Sequence, residues 1–372
     1  MHRVAYPLLM FVSATAMAVD LKPPSSAEVC GDCHRAIYEG WKKSAHANAM
    51  ESRLFQDALK LAEQDLGAPA RKVCLGCHSP VGVQMGDLDL IRKVSWEGIT
   101  CDYCHSILEV TTTGVNPKAK VEFSLVKSGP SKDSISPAHG TRFSAVHTSS
   151  LACIICHEYA NSQGFAVLTT YSEWKAAAYG KGEQGCQSCH MYSVKGDVVD
   201  PRVERSTAAT INLHEIPGSH SIQQLNKAIK AVLSANRDGD QVQVVVKLTN
   251  QGAGHYVPTG SPLRRLILDV RADSYAAGAA QHFNEQRVYR RTVADRNGAL
   301  LNSEPLVFIK GARVVTDTRL APNATKTERF SFPMKRGFQV RVVASLYYYY
   351  SPLATTEEEQ KVKFLELTSL VQ

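Results

Sequence analysis

The sequence predicts two regions of different class: a mostly irregular and α-helical region that relies on cofactors for its core, then an all-β sandwich. Three observations lead there. The pentapeptide Cys-x-x-Cys-His occurs five times, at Cys30–His34, Cys74–His78, Cys101–His105, Cys153–His157 and Cys186–His190. These copies use all ten cysteines, and none follows Cys189. Beyond residue 240 the chain turns to short runs rich in β-branched and aromatic residues.

Each pentapeptide is the attachment signature of a c-type haem. The thiols of Cys30, Cys33, Cys74, Cys77, Cys101, Cys104, Cys153, Cys156, Cys186 and Cys189 become thioethers to the porphyrin. His34, His78, His105, His157 and His190 each ligate an iron. A zinc protein would group thiolates four to a metal and gives no reason for a His after every second Cys. A disulfide framework suits a much shorter secreted chain. Five covalently bound haems are therefore expected, and with them a redox function.

In chain order, residues 1–18 read as a secretory leader. Arg3 supplies the positive start, Val4 to Val12 the apolar stretch, and Ala16-Met17-Ala18 the small residues before cleavage. The apolar run is shorter than the roughly 20 residues a membrane span needs, and no later segment is apolar enough to span. Residues 19–236 form the expected cytochrome region. Helical spacing marks AEVCGDCHRAIYEGWKKSAHANAM, LFQDALKLAEQ and Tyr171–Gly180. A longer helix is expected over Gln223–Asn236 with Ser221 as its N-cap, and Val121–Pro130 suggests a hairpin. The chain offers too few residues per haem to build five cores unaided, so the apo region is expected to be unfolded.

Residues 237–372 form the expected β domain. Strands are predicted at Val242–Leu248, Arg264–Ala272, Gln286–Ala294, Thr327–Phe332 and Val340–Tyr350, separated by Gly, Asn and Pro breaks. Their spacing reads as a sandwich. Tyr347–Tyr350 fits a strand covered on both faces better than an electron relay. The closing KVKFLELTSLV reads as a terminal helix or an edge strand.

The formal charge of +7 gives no support for nucleic-acid binding once the haems are counted. Loss of Arg3 removes one positive charge, ten propionates remove ten, and five ferric cores return five. The oxidised protein then stands near +1 and the reduced protein near −4.

Eight of the thirteen histidines lie outside the motifs. His2 leaves with the leader, so seven remain for the second axial positions: His46, His139, His147, His214, His220, His255 and His282. His46 lies twelve residues after His34, and His139 and His147 precede the fourth motif. His214 and His220 share the turn-rich LHEIPGSH, and glycines bracket His255. His282 reads as a surface residue in a β-region loop. Met50 or Met85 in place of one His would raise that haem's potential.

The chain resembles the multihaem cytochrome c family that includes the cytochrome c554-like proteins. The resemblance rests on Trp41–Ala47, Gly98–His105, Ser136–His147, Thr170–Trp174 and Cys186–Met191. GHYVPTG at Gly254–Gly260, Arg264–Arg265 and Asp317–Thr325 resemble the immunoglobulin-like β domain appended to such cytochromes. The resemblance implies a pentahaem cytochrome with closely packed, mostly bis-His haems. His46, His139, His147, His214 and His255 would be distal ligands, with His220 in reserve. It also implies redox partners outside the cytoplasmic membrane, such as other cytochromes, a quinol-oxidising complex or a terminal reductase, and leaves room for a homo-oligomer or filament. The location would be the periplasm or the cell surface. The alternative is a nitrite- or hydroxylamine-type oxidoreductase with one open haem, or a filament subunit. Nitrite reductases of five haems commonly carry Lys in place of one motif His, and all five motifs here end in His.

Overall fold

The computed structural model describes residues 24–182, 184–203, 210–274 and 280–372. The expected leader, with His2, lies outside them.

The first region is an assembly of short helices and two-stranded ladders. Each motif rides on a helix: Ala27–Gly31, Ala68–His78, Cys101–His105, Leu151–His157 and Cys186–His190. The first of these ends before His34, which caps the next helix, Arg35–Lys42. The expected LFQDALKLAEQ helix is Arg53–Leu66, and the Tyr171 segment forms Thr170–Ala176. Side-chain caps start several of them. The Ser26 hydroxyl accepts from the Glu28 amide, Ser52 from Phe55 and Thr100 from Tyr103. Helix Arg53–Leu66 buries Phe55, Leu59 and Ala62, one stripe at i, i+4 and i+7, and Phe55 and Leu59 join a small cluster with Met50, Leu75 and Leu90.

Val121–Pro130 is not the expected hairpin. Lys118–Val121 pairs with Ile107–Thr111, whereas Val126–Gly129 pairs in parallel with Gly140–Phe143. Parallel pairing requires a crossover, supplied here by residues 130–139. Asp102, between the cysteines of the third motif, ties this part together. Its buried carboxylate accepts from the Ser25 amide, the Ser106 hydroxyl at 2.9 Å and Lys127 Nζ.

The second region is an antiparallel sandwich of seven strands: β1 Ile229–Asp238, β2 Gln241–Asn250, β3 Arg265–Ser274, β4 Gln281–Tyr289, β5 Thr325–Pro333, β6 Val340–Tyr349 and β7 Lys361–Val371. One sheet runs β5-β2-β1 and the other β4-β3-β6-β7. Val242, Val244, Val246 and Leu248 point inward at every second position of β2, where they join Leu266, Leu268 and Val270 of β3 and Phe330 and Phe332 of β5 in one core.

The long helix expected over Gln223–Asn236 is corrected. Ser221 does cap a helix, but it spans only Ile222–Ala228, and the chain continues directly into β1. Ten consecutive residues of β1 pair with β2, so ladder hydrogen bonds and a period-2 face outweigh local helix propensity. Gln286–Ala294 also divides. β4 ends at Tyr289, and Arg291–Ala294 leaves the sheet to pair with Arg313–Asp317. There the buried Arg291 reaches the first region, donating to the Thr169 hydroxyl and the Val167 carbonyl. The terminal segment is the edge strand β7. Tyr348 faces the core, while Tyr347 and Tyr349 lie beneath Lys361 and Arg265 at 4.9 and 4.7 Å. His282 lies on β4 rather than in a loop, with Nδ1 2.8 Å from Asp273 Oδ1.

Leu268 is fully buried, so Leu268→Ala is expected to cost about 2–5 kcal/mol in equilibrium denaturation of the holoprotein. Lys127→Met leaves Asp102 buried without its counter-charge and is expected to cost about 3–5 kcal/mol. Adding Asp102→Asn should recover much of that loss, measured as the coupling in a double-mutant cycle.

Candidate functional site

A helix places residues three and four apart on one face, so each motif presents two thiols and one imidazole to the same side. Across that face the fold brings histidines distant in sequence. The ring centroids of His34 and His139 are 6.1 Å apart, those of His46 and His157 6.3 Å, and those of His190 and His255 6.4 Å. Metal–imidazole bonds are about 2 Å long, so two of them plus half of each ring separate centroids by roughly 6 Å. The three pairs fit an iron held between them.

The ring nitrogens are arranged for the same purpose. Seven histidines donate Nδ1–H to a backbone carbonyl. In the motifs these are His34 to Val198 (2.6 Å), His78 to Ala49 (3.2 Å), His105 to Ser128 (2.6 Å) and His190 to Pro217 (2.7 Å). Outside the motifs they are His139 to Gly140 (3.0 Å), His214 to Asn212 (2.6 Å) and His255 to Tyr256 (2.9 Å). A carbonyl only accepts, so each ring carries its hydrogen on Nδ1 and keeps a lone pair on Nε2 for a metal. Burial reinforces this by disfavouring the imidazolium. It lowers His46, His78 and His105 to about 4 and His157 to about 3. These rings are neutral at pH 7, the ligating form.

His147 is turned the other way. Its Nε2–H donates to the Cys104 carbonyl at 2.9 Å, and its buried Nδ1 has no partner among the described residues. Its centroid lies 5.3 Å from that of His105. His214 is an electrostatic neighbour of both His105 and His34. His220 stacks on Tyr350 at 4.3 Å. His78 stands apart: Phe55 stacks against it at 3.8 Å, and its histidine neighbour is His46, already opposite His157. Met50 is sealed in the apolar cluster beside Phe55, and Met85 packs near Tyr103 and Val146.

Thiols from different motifs meet. The side chains of Cys30 and Cys101, of Cys77 and Cys156, and of Cys153 and Cys186 lie beside one another and perturb each other electrostatically. Tyr103 is buried within the electrostatic reach of Cys156, Cys104 and Cys77, and its burial pushes the hydroxyl's pKa up. The attachment points of motifs one and three, two and four, and four and five therefore adjoin. Among the described residues, no three His, Cys, Asp or Glu side chains converge on a metal position, as a zinc centre would require. No described helix is long and apolar enough to cross a membrane.

Two residues that border the site carried no chemical signal in the sequence. Glu173 and Arg319 lie within stretches matched only as family likeness, yet they form a buried ion pair beside His255. Nothing short of the fold brings together two residues so far apart in the chain.

Residues 29–106 match the family model for cytochrome c554 and c-prime. The chain is 33% identical over 111 residues to cytochrome c-554 of Nitrosomonas europaea, an alignment covering 27% of this chain and 46% of that protein. It thus spans about half the length of that curated relative. The penta-heme cytochrome c552 from Thermochromatium tepidum shares the fold, with a TM-score of 0.71 at 22% identity over 93% of this chain and 98% of that one. The chain is thus similar to cytochrome c554 over residues 29–106 and shares the fold of a penta-heme cytochrome along nearly its whole length, a likeness that, with the five Cys-x-x-Cys-His motifs, implies covalently bound haem c.

Proposed function

We propose that the chain is a pentahaem cytochrome that carries electrons through a row of closely packed, mostly bis-His haems between redox partners outside the cytoplasmic membrane. The observation that carries this reading is the set of three histidine pairs at 6.1–6.4 Å. On that basis His139 completes the haem on His34, His46 the haem on His157, and His255 the haem on His190. His214, with Nε2 available and His105 nearby, serves the haem on His105. His147, whose Nδ1 is unpartnered among the described residues and can also ligate, and whose ring lies 5.3 Å from that of His105, is the other candidate for that iron. The iron between two imidazoles has no position for a small substrate, so the chemistry is one-electron exchange supplied by the haem. The chain contributes axial ligands, spacing and a low dielectric. Two imidazoles without a thioether ligand favour low potentials.

One observation favours a second reading. His78 faces no unclaimed histidine of the kind that completes the other sites, which leaves its haem open to an exogenous ligand. A multihaem oxidoreductase needs one such haem.

Purified holoprotein is expected to contain five haems per chain by haemochrome assay and intact mass. The EPR spectrum should show low-spin signals from bis-His haems, and carbon monoxide should bind one reduced haem per chain. Carbon monoxide uptake by none would remove the open-site reading; uptake by three or more would overturn the carrier reading. His139→Ala, His46→Ala and His255→Ala should each expose one further haem to carbon monoxide, whereas His220→Ala should expose none.

A further inference from the structure

His255 is the proposed ligand that the β domain sends into the cytochrome region; its loop is anchored to the β domain by the buried Ala253 and Val257, by Asn250 and by a Val257–Leu320 bridge. What joins that loop to the cytochrome region is a polar junction centred on Glu173. This residue lies on the cytochrome-region helix Thr170–Ala176 and is only 8% exposed. One carboxylate oxygen accepts from the Thr169 hydroxyl at 2.7 Å and from Arg319 Nη1 at 2.7 Å. The other accepts from the Tyr256 amide at 3.1 Å and the Thr259 hydroxyl at 2.9 Å. Both of the latter belong to the His255 loop.

Arg319 comes from the β domain and is spent entirely on the same junction. Its Nε and Nη2 engage both oxygens of Asp317 at 2.9 and 2.8 Å, and Nη1 also reaches the Pro258 carbonyl at 3.3 Å. Its guanidinium lies 4.7 Å from the centre of the Tyr256 ring. Gly254 passes so close to Trp174 and Tyr179 that a Cβ would sit 3.0 Å from the Trp174 ring. Glu173 accepts from the amide of Tyr256, and the carbonyl of the same residue, one peptide further on, accepts the Nδ1–H of His255. The carboxylate thus anchors the residue whose carbonyl orients the imidazole.

We propose that Glu173 and Arg319 are positioning residues that lock the His255 loop onto the cytochrome region, so that β-domain docking and completion of the fifth haem are one event. This rests on the reading of His255 as the ligand opposite His190. The clamp makes the ligation of that haem conditional on the junction: when the ion pair opens, His255 withdraws and the haem on His190 alone becomes five-coordinate.

The test uses purified full-length holoprotein and counts the haems that bind carbon monoxide after reduction, alongside EPR and redox titration. His255→Ala should add one carbon monoxide-binding haem to the parent count; if it adds none, the ligand reading itself fails. Given that increment, Arg319→Met and Glu173→Ala should also add one haem, remove one low-spin signal and shift one midpoint potential. Glu173→Gln, which keeps the acceptors for Tyr256 and Thr259, should show a partial effect. If the clamp variants keep every low-spin signal and all potentials of the parent, while His255→Ala opens a haem, the clamp is refuted. Should Glu173→Ala fail to accumulate, Thr259→Val removes one of its bonds from the surface of the junction. Faster carbon monoxide binding at one haem supports the lock, and unchanged kinetics refute it.

Discussion

The architecture turns on one geometric arrangement: imidazoles that face each other across roughly 6 Å, most of them fixed by a carbonyl on the outer nitrogen. The motifs supply one ring of each pair. The other ring arrives from a distant part of the chain, His139 for His34, His46 for His157 and His255 for His190. The long loops of the first region, poor in regular structure, are therefore under strict constraint. Their carbonyls at Val198, Ser128 and Pro217 hold motif rings in position. Backbone that would ordinarily be called irregular here fixes the orientation of the motif imidazoles.

The two regions meet the cost of chain ordering in different ways. The sandwich has a continuous core of alternating aliphatic residues from both sheets, enough apolar surface to offset the entropy lost on folding. Among the described residues the first region has small clusters, around Met50, around Tyr103 and, shared with the second region, around Val167. On the proposed reading, flat apolar macrocycles would make up the difference. The buried Asp102–Lys127 pair fits that economy, since it orders three separate segments where no aliphatic core is available to do so.

Much of this was legible in the sequence because its signals are local. The motif spells out cofactor attachment, and period-2 runs such as VQVVVKL mark β2. What misled was also local: Gln223–Asn236 reads as helix until ten ladder partners on β2 are supplied. Which distal histidine meets which motif was not legible at all, because that pairing is set by topology over separations such as 34 to 139. The tautomer of His147 depends on a carbonyl 43 residues away and leaves no trace in the neighbouring residues. Glu173 and Arg319 each look like solvated surface charge until the fold buries them together.

The thiol contacts arrange the proposed haems in an order that differs from their order in the chain. The first motif adjoins the third, the fourth adjoins the fifth, and Tyr103 sits where the second, third and fourth converge. On the proposed reading a through-path would run from the haem on His34 by way of those on His105 and His157 to the one on His190. The haem on His78 adjoins the fourth through Cys77 and Cys156, beside the path rather than within it. A side haem can open to an exogenous ligand without breaking conduction, so the carrier reading and the open-site reading do not compete for the same iron. Through His255 the β domain bears on the terminal haem of this proposed row, while Arg291 and the carbonyls of Ile309 and Gly311 also join it to the segment that follows the fourth motif.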